Sequence, residues 1–281
     1  MRKKVLVTGA SGYIGRHVVK ECVEQGFDVI ASDFNFKGVD ERATFNETEI
    51  FKENKNLYED LGSPDVLIHM AWRDGFIHNS DAHMKDLSNH MTFLQQMIDS
   101  GVQSVSVMGS MHEVGYHEGA INENTPCNPQ SMYGIAKNAL RQALLLYAKD
   151  KDVQINWLRA YYIYGDDLRG SSIFAKIAQA VLDGKKTFPF TTGKNKYDFI
   201  TVDELAKMIV AASIQDKISG IINVSTGNPV SLAEQIEGYI AKNKYDIKLE
   251  YGAFPDRPYD SPGVWGDATK INQIMKAYYE Q

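Results

Sequence analysis

The 281-residue sequence predicts an α/β fold, a doubly wound parallel sheet followed by a smaller, irregular C-terminal half. Three observations carry this expectation. Short apolar bursts alternate with helical patterns from the N-terminus to Gly165. The bursts are nearly continuous rather than alternating, as in strands covered on both faces by helices. A glycine-spaced turn, "TGASGYIG", joins the first burst to the first helical stretch.

Taken in order, "KVLVTGA" reads as a strand and "YIGRHVVKECVEQG" as a helix stopped by Gly26. "FDVIASD" and "PDVLIHMAW" are strands, the second entered through Pro64. "HMTFLQQMIDSG" is a helix ending at Gly101, "VQSVSVMGS" a strand, "SMYGIAKNALRQALLLYAK" a helix and "VQINWLRAYYIYG" a single strand. Beyond Gly165 the rhythm loosens. "SSIFAKIAQAVLDG" is a helix. "TVDELAKMIVAAS" and "SLAEQIEGYIAK" are helices opened by capping boxes, Thr201 with Glu204 and Ser231 with Glu234. "DIKLEYG" is a short strand, and the proline-rich "FPDRPYDSPGVWGD" an ordered loop.

A hydrophobic content of 43% supports a sizeable core in one large domain or two intimate ones. A net charge of −6 argues against a nucleic-acid footprint. Two cysteines, Cys22 and Cys127, make neither a disulfide framework nor a zinc spacing. No apolar run approaches the roughly 20 residues of a membrane span, and the one behind the basic N-terminus is too short for a signal peptide. The expectation is a cytoplasmic protein with no membrane partner.

Gly9, Gly12 and Gly15 allow a sharp strand-to-helix turn and close approach of the main chain to a ligand. The helix N-terminus beyond them offers free amides and a positive dipole end to a pyrophosphate. The spacing is Gly-x-x-Gly-x-x-Gly, not the usual dinucleotide fingerprint, and a tight packing turn would look the same. Asp33, near the end of the second strand, stands where an acid binds the adenosine ribose hydroxyls and repels a 2′-phosphate. No arginine adjoins it in "FNFKG", so NAD(H) is favoured over NADP(H).

On the helix that starts at Ser131, Lys137 lies about 40° round from Tyr133, on a face shared with Leu140 and Leu144. A lysine there is costly unless its ammonium snorkels to water or finds a partner. The chemical alternative is an ammonium that stabilises the Tyr133 phenolate, lowering its pKa so that it trades a proton with an alcohol oxygen during hydride transfer. Ser110, at the end of "VQSVSVMGS", is the candidate to orient that oxygen.

Together "TGASGYIG", Asp33, "IHMA", Ser110 and "YGIAK" resemble the signature of the extended short-chain dehydrogenase/reductase, or NAD-dependent epimerase/dehydratase, family. The resemblance implies a Rossmann fold. It divides the chain into a dinucleotide-binding part, 1–167 with 199–225, and a sugar-nucleotide-binding part, 168–198 with 226–281. It implies that Gly9, Ser11, Gly12, Tyr13, Ile14, Gly15, Asp33 and Ala71 hold the cofactor together with Tyr133 and Lys137. Tyr133 is then the acid/base, Lys137 its tuner and ribose ligand, and Ser110 the partner of the substrate oxygen. "RPYDSPGVWGDATK" is similar to the family's sugar-nucleotide segment and makes Arg257 a pyrophosphate clamp, with a surface salt bridge as the plainer role. No metal is expected.

The sequence also departs from the family pattern. Tyr197 stands where a second phosphate-binding arginine is usual, with Lys196 beside it as a substitute. Tyr162 stands in an asparagine position, and so does Asp86. The dehydratase acid pair is missing after Ser110, where Met111 and His112 follow and Glu113 falls out of its slot. The resemblance is closest to reductases of nucleotide-diphosphate 4-keto-6-deoxyhexoses. A nucleotide-sugar 4-epimerase is the alternative, and a non-catalytic dinucleotide sensor a third reading. His112 is placed to face the sugar. Trp72 and Phe76 line the pocket or, more simply, pack in the core. Arg73 and Arg169 are further phosphate candidates. The remaining histidines read as solvated or locally bonded. The family's habit of pairing through two helices implies a homodimer.

Overall fold

The computed structural model describes residues 2–165, 172–256 and 260–280. Elements run β1 (Lys4–Thr8), α1 (Gly15–Glu24), β2 (Asp28–Ser32), β3 (Thr44–Asn46), α2 (Leu57–Asp60), β4 (Val66–His69), α3 (Ala82–Lys85), α4 (Leu87–Asp99), β5 (Ser104–Ser110), β6 (Gly119–Ile121), α5 (Met132–Ala148) and β7 (Gln154–Ala160). They continue as β8 (Tyr162–Tyr164), α6 (Ile173–Leu182), β9 (Thr187–Pro189), β10 (Lys196–Tyr197), β11 (Phe199–Thr201), α7 (Val202–Ile214), β12 (Gly220–Val224), β13 (Val230–Ser231), α8 (Leu232–Lys242), β14 (Lys248–Glu250), β15 (Gly263–Gly266) and α9 (Thr269–Tyr279).

Seven strands form one sheet in the order β12-β7-β5-β4-β1-β2-β3, with every pairing parallel. The chain builds outward from β1 in one direction and then returns to add β4 on its other side. The strand order therefore reverses between β1 and β4, where α/β sheets open a ligand crevice. Val5, Leu6 and Val7 of β1 are fully buried, as are Leu67, Val105 and Val107 of the strands beyond it. One apolar layer joins the sheet to α1, α7 and α9; the other joins it to α4 and α5. A third cluster, including Phe174, Ile177, Phe190 and Ile236, lies under the small sheet β13-β10-β15-β6 and its neighbours.

Several boundaries differ from the sequence expectation. The single strand of "VQINWLRAYYIYG" divides after Ala160, and β8 pairs with β11 in a separate two-stranded sheet. Tyr161, at the break, donates its hydroxyl to Asn223 Oδ1 at 3.0 Å. Thr201 and Ser231 cap α7 and α8 by accepting from the amides of Glu204 and Glu234. The proline-rich loop contains β15, held between β10 and β6.

Candidate active site

A cleft of about 1120 Å³ opens at the reversal point. One wall is the glycine turn: Gly9, Gly12, Tyr13, Ile14 and Gly15 all line it. The turn is closed by main-chain contact. Gly9 has φ +68°, and a Cβ on it would lie 2.6 Å from the Ala71 amide nitrogen. A Cβ on Gly15 would lie 2.1 Å from the Gly9 carbonyl oxygen. No side chain caps α1. The cleft therefore meets backbone amides and a helix N-terminus, the surroundings that suit a pyrophosphate. Asp33 ties the turn to β2: its Oδ2 accepts from the Ser11 amide and hydroxyl, both at 2.9 Å, and its Oδ1 from the Phe34 amide. The residues present fit a dinucleotide.

The opposite part of the cleft is built from side chains. Ser131 caps α5 by accepting from the Gly134 amide at 3.1 Å, which sets Tyr133 in the first turn. The Tyr133 hydroxyl hydrogen-bonds Ser110 at the end of β5. One turn on, Lys137 is 3% exposed, in line with the fully buried Leu140 and Leu144. It does not snorkel. Its Nζ donates to the Met108 carbonyl at 2.8 Å and sits 3.6 Å above the centre of the Trp72 ring. A backbone oxygen and an indole face thus replace water around the ammonium.

Burial, opposed by the Glu113 charge, lowers the Lys137 pKa to about 7. Burial, opposed by the Ser110 hydrogen bond, raises that of Tyr133 to about 12. The sequence reading expected Lys137 to bring Tyr133 down. The structure differs because burial of the Tyr133 hydroxyl dominates, and the ammonium, 5.9 Å from the Tyr133 ring centre, bonds the Met108 carbonyl and the Trp72 face instead.

His117 bonds the Ala120 carbonyl three residues on, as expected of a locally bonded ring, but His69 and His90 depart from that expectation. Thr8 Oγ1 contacts His69 Nδ1 at 2.8 Å, and His69 Nε2 contacts His90 Nδ1 at 2.9 Å. Both rings are buried, with His90 stacked on Trp72. Burial pushes the His90 pKa down to about 3 and His69 well below its usual value. His83 accepts from the Trp72 indole at 3.1 Å. His78 stacks on Tyr133 and meets His112 edge to face at 4.4 Å. Burial lowers the His112 pKa to about 4. These partners come from separate segments, so no local spacing announced them.

Other expected residues divide. His112, Tyr162, Trp72 and Phe76 line the cleft. Tyr162 and Tyr197, which occupy the Asn and Arg positions of the resemblance, pack ring to ring at 4.3 Å, with Phe199 alongside. Lys196 is exposed and does not line the cleft, whereas Asn195 and Tyr197 on either side of it do. Arg73 is taken by Asp86 in a two-pronged pair at 3.0 Å on each arm, which leaves no fork for a phosphate. Arg257 and Arg169 lie outside the described residues. Among the described residues no helix is long and apolar enough to cross a membrane, and no group of three or more His, Cys, Asp or Glu side chains is arranged to hold a metal.

A glycine cradle at the reversal point, sharing a cleft with a tyrosine and a lysine and backed by a buried serine bonded to that tyrosine, defines a dinucleotide-dependent class. The chain belongs to the NAD dependent epimerase/dehydratase family, whose family model matches residues 5–225. Within it, the chain is 40% identical over 269 residues to dTDP-6-deoxy-L-talose 4-dehydrogenase (NAD(+)) of Aggregatibacter actinomycetemcomitans, covering 93% of this chain and 98% of that one. It is 27% identical to UDP-glucose 4-epimerase of Lactobacillus helveticus, covering 97% and 91%. The solved structure of UDP-glucose 4-epimerase with UDP-glucose from Thermotoga maritima superposes with a TM-score of 0.80 at 24% identity, over 96% of this chain and 91% of that one.

Proposed function

We propose that this protein interconverts the 4-keto and 4-hydroxy forms of a nucleotide-diphosphate 6-deoxyhexose with a nicotinamide cofactor. The observation that carries the reading is the Tyr133–Ser110 hydrogen bond beside buried Lys137, in the cleft that also holds the glycine turn. A 4-dehydrogenase and a 4-ketoreductase run the same reaction in opposite directions, so the likeness to a dTDP-6-deoxy-L-talose 4-dehydrogenase supports it. A bound nicotinamide would supply or accept the hydride. Gly9, Gly12 and Gly15 would hold the pyrophosphate, and Asp33 an adenosine ribose without a 2′-phosphate, which favours NAD(H).

In the reductive direction Tyr133 gives its proton to the C4 oxygen while Ser110 orients that oxygen. In the oxidative direction Tyr133 takes the proton back. Its raised pKa keeps it protonated at neutral pH, the state the reduction needs. Tyr162, Tyr197 and Phe199 line the cleft ring against ring, and such a surface would suit a C6 methyl group better than a hydroxymethyl.

The test is steady-state oxidation of NADH and NADPH with dTDP-, UDP-, GDP- and CDP-linked 4-keto-6-deoxyhexoses. NADH consumption with one of them, lost about a hundred- to ten-thousand-fold in Tyr133→Phe, is expected. Interconversion of two C4 epimers without net cofactor turnover would instead identify an epimerase.

A further inference from the structure

Glu113 is fully buried, and its carboxylate lies directly behind Ser110. Its Oε1 accepts from the Ser110 amide at 2.6 Å. The Trp157 indole donates to both oxygens, at 2.8 and 2.9 Å. Arg141 of α5 and Arg159 of β7 approach Oε2 at 3.4 and 3.5 Å. The backbone makes room for this arrangement: a Cβ on Gly109 would lie 2.3 Å from the Trp157 indole nitrogen and 2.7 Å from Glu113 Oε1. A buried carboxylate is costly unless it is paired and hydrogen-bonded, as it is here. Two oxygens next to at least four donors can accept from all of them; an amide in that place would face donor against donor.

The consequence reaches the cleft along two routes. The first is steric. With its amide fixed by Glu113, Ser110 accepts from the His112 amide through Oγ at 3.3 Å, and the same side chain meets Tyr133. The second is electrostatic. The Glu113 charge acts on both Tyr133 and Lys137, favouring the protonated form of each.

We propose that Glu113 is a positioning residue of the reaction, holding Ser110 against Tyr133 and presenting its charge to Tyr133 and Lys137. The proposal rests on the reading of Ser110, Tyr133 and Lys137 given above. The other groups that face this pair are His78, His83 and His112 around Tyr133, and His69 and His90 near Lys137. On the far side of Glu113 stand Arg141 and Arg159.

Two readouts test it on the full chain. The first is the titration of Lys137 by NMR, with lysines ¹³C-labelled at Cε and the signal assigned by its loss in Lys137→Met. The second is kcat for 4-keto reduction. In Glu113→Gln the Lys137 midpoint falls from its wild-type value near 7 by roughly one pH unit. The same variant lowers kcat about tenfold or more, with the cofactor KM little changed. In Glu113→Asp, which draws the charge back by one methylene and keeps the proposal testable if Glu113→Gln does not fold, the midpoint falls by a smaller amount.

A folded Glu113→Gln or Glu113→Asp with the Lys137 midpoint unmoved overturns the proposal, even if kcat falls, because Glu113 would then be scaffold alone. Full activity in Tyr133→Phe would overturn the underlying reading of the site instead.

Discussion

The two ends of the cleft are made of different material. The glycine end is main chain: three glycines, an uncapped helix and Asp33 bonded back onto the turn. Every part of it lies within 25 residues in sequence, from Gly9 to Asp33. The Tyr133 end is side chain: Trp72, His78, His83, His90, Ser110, His112 and Lys137 converge from several segments. A main-chain site tolerates no added atoms, because the backbone has nowhere to go. A side-chain site tolerates them but is governed by burial and charge.

That contrast can be broken first at Gly15. Gly15→Ala places a methyl group 2.1 Å from a carbonyl oxygen, so the turn must open. Overpacking of this kind costs about 1–3 kcal/mol or more. Cofactor binding, followed by fluorescence titration with NADH, is expected to fall at least tenfold. Unchanged binding would mean that the turn is softer than its contacts imply.

At the other end the corresponding probe is pH. Tyr133 holds its proton to about 12, whereas Lys137 loses its own near 7. In the reductive direction kcat/KM is therefore expected to be level below about pH 7 and to fall about tenfold per pH unit above it. A profile level to pH 9 would show that the ammonium is not required.

The glycine end was legible in sequence because its requirements are local. Strand, glycine spacing and terminal Asp fall in one reading frame, and Lys137 announced itself as a charge on an apolar face. The partner of Lys137 was not legible. Trp72 follows "VLIHMA", where an aromatic residue looks like ordinary core, and its neighbours His83 and His90 lie 11 and 18 residues away. The break after Ala160 was hidden for a similar reason: what draws β8 away from the main sheet is β11, more than 30 residues later, and no periodicity within "VQINWLRAYYIYG" reports that pairing. The three-residue β3 lacks an apolar run altogether.

The buried histidines give a smaller, stability-based contrast. His90 has a folded-state pKa near 3 against 6.5 in the open chain, and His69 is lowered as well. The unfolded chain binds protons that the folded one refuses, so stability is full above about pH 6.5 and is lost as pH falls toward 3. Melting temperature is expected to drop across that window, and less steeply in His90→Asn. An equal slope in both proteins would remove His90 from the account.

The smallest effect belongs to the surface. Arg73→Gln breaks only the exposed pair with Asp86 and is expected to change stability by no more than about 1 kcal/mol, with kcat/KM unaltered. A large loss of activity would restore Arg73 as a phosphate ligand.

The central claim is that Tyr133 and the glycine turn serve one redox step at C4 of a 6-deoxy sugar. Its most direct measurement uses a nucleotide-linked 6-deoxyhexose deuterated at C4, incubated with NAD(+), with the label followed by mass spectrometry. The account predicts one deuterium in each NADH formed, and none above background in Tyr133→Phe. Reduced cofactor without deuterium, or a scrambled C4 centre with no reduced cofactor, would contradict it.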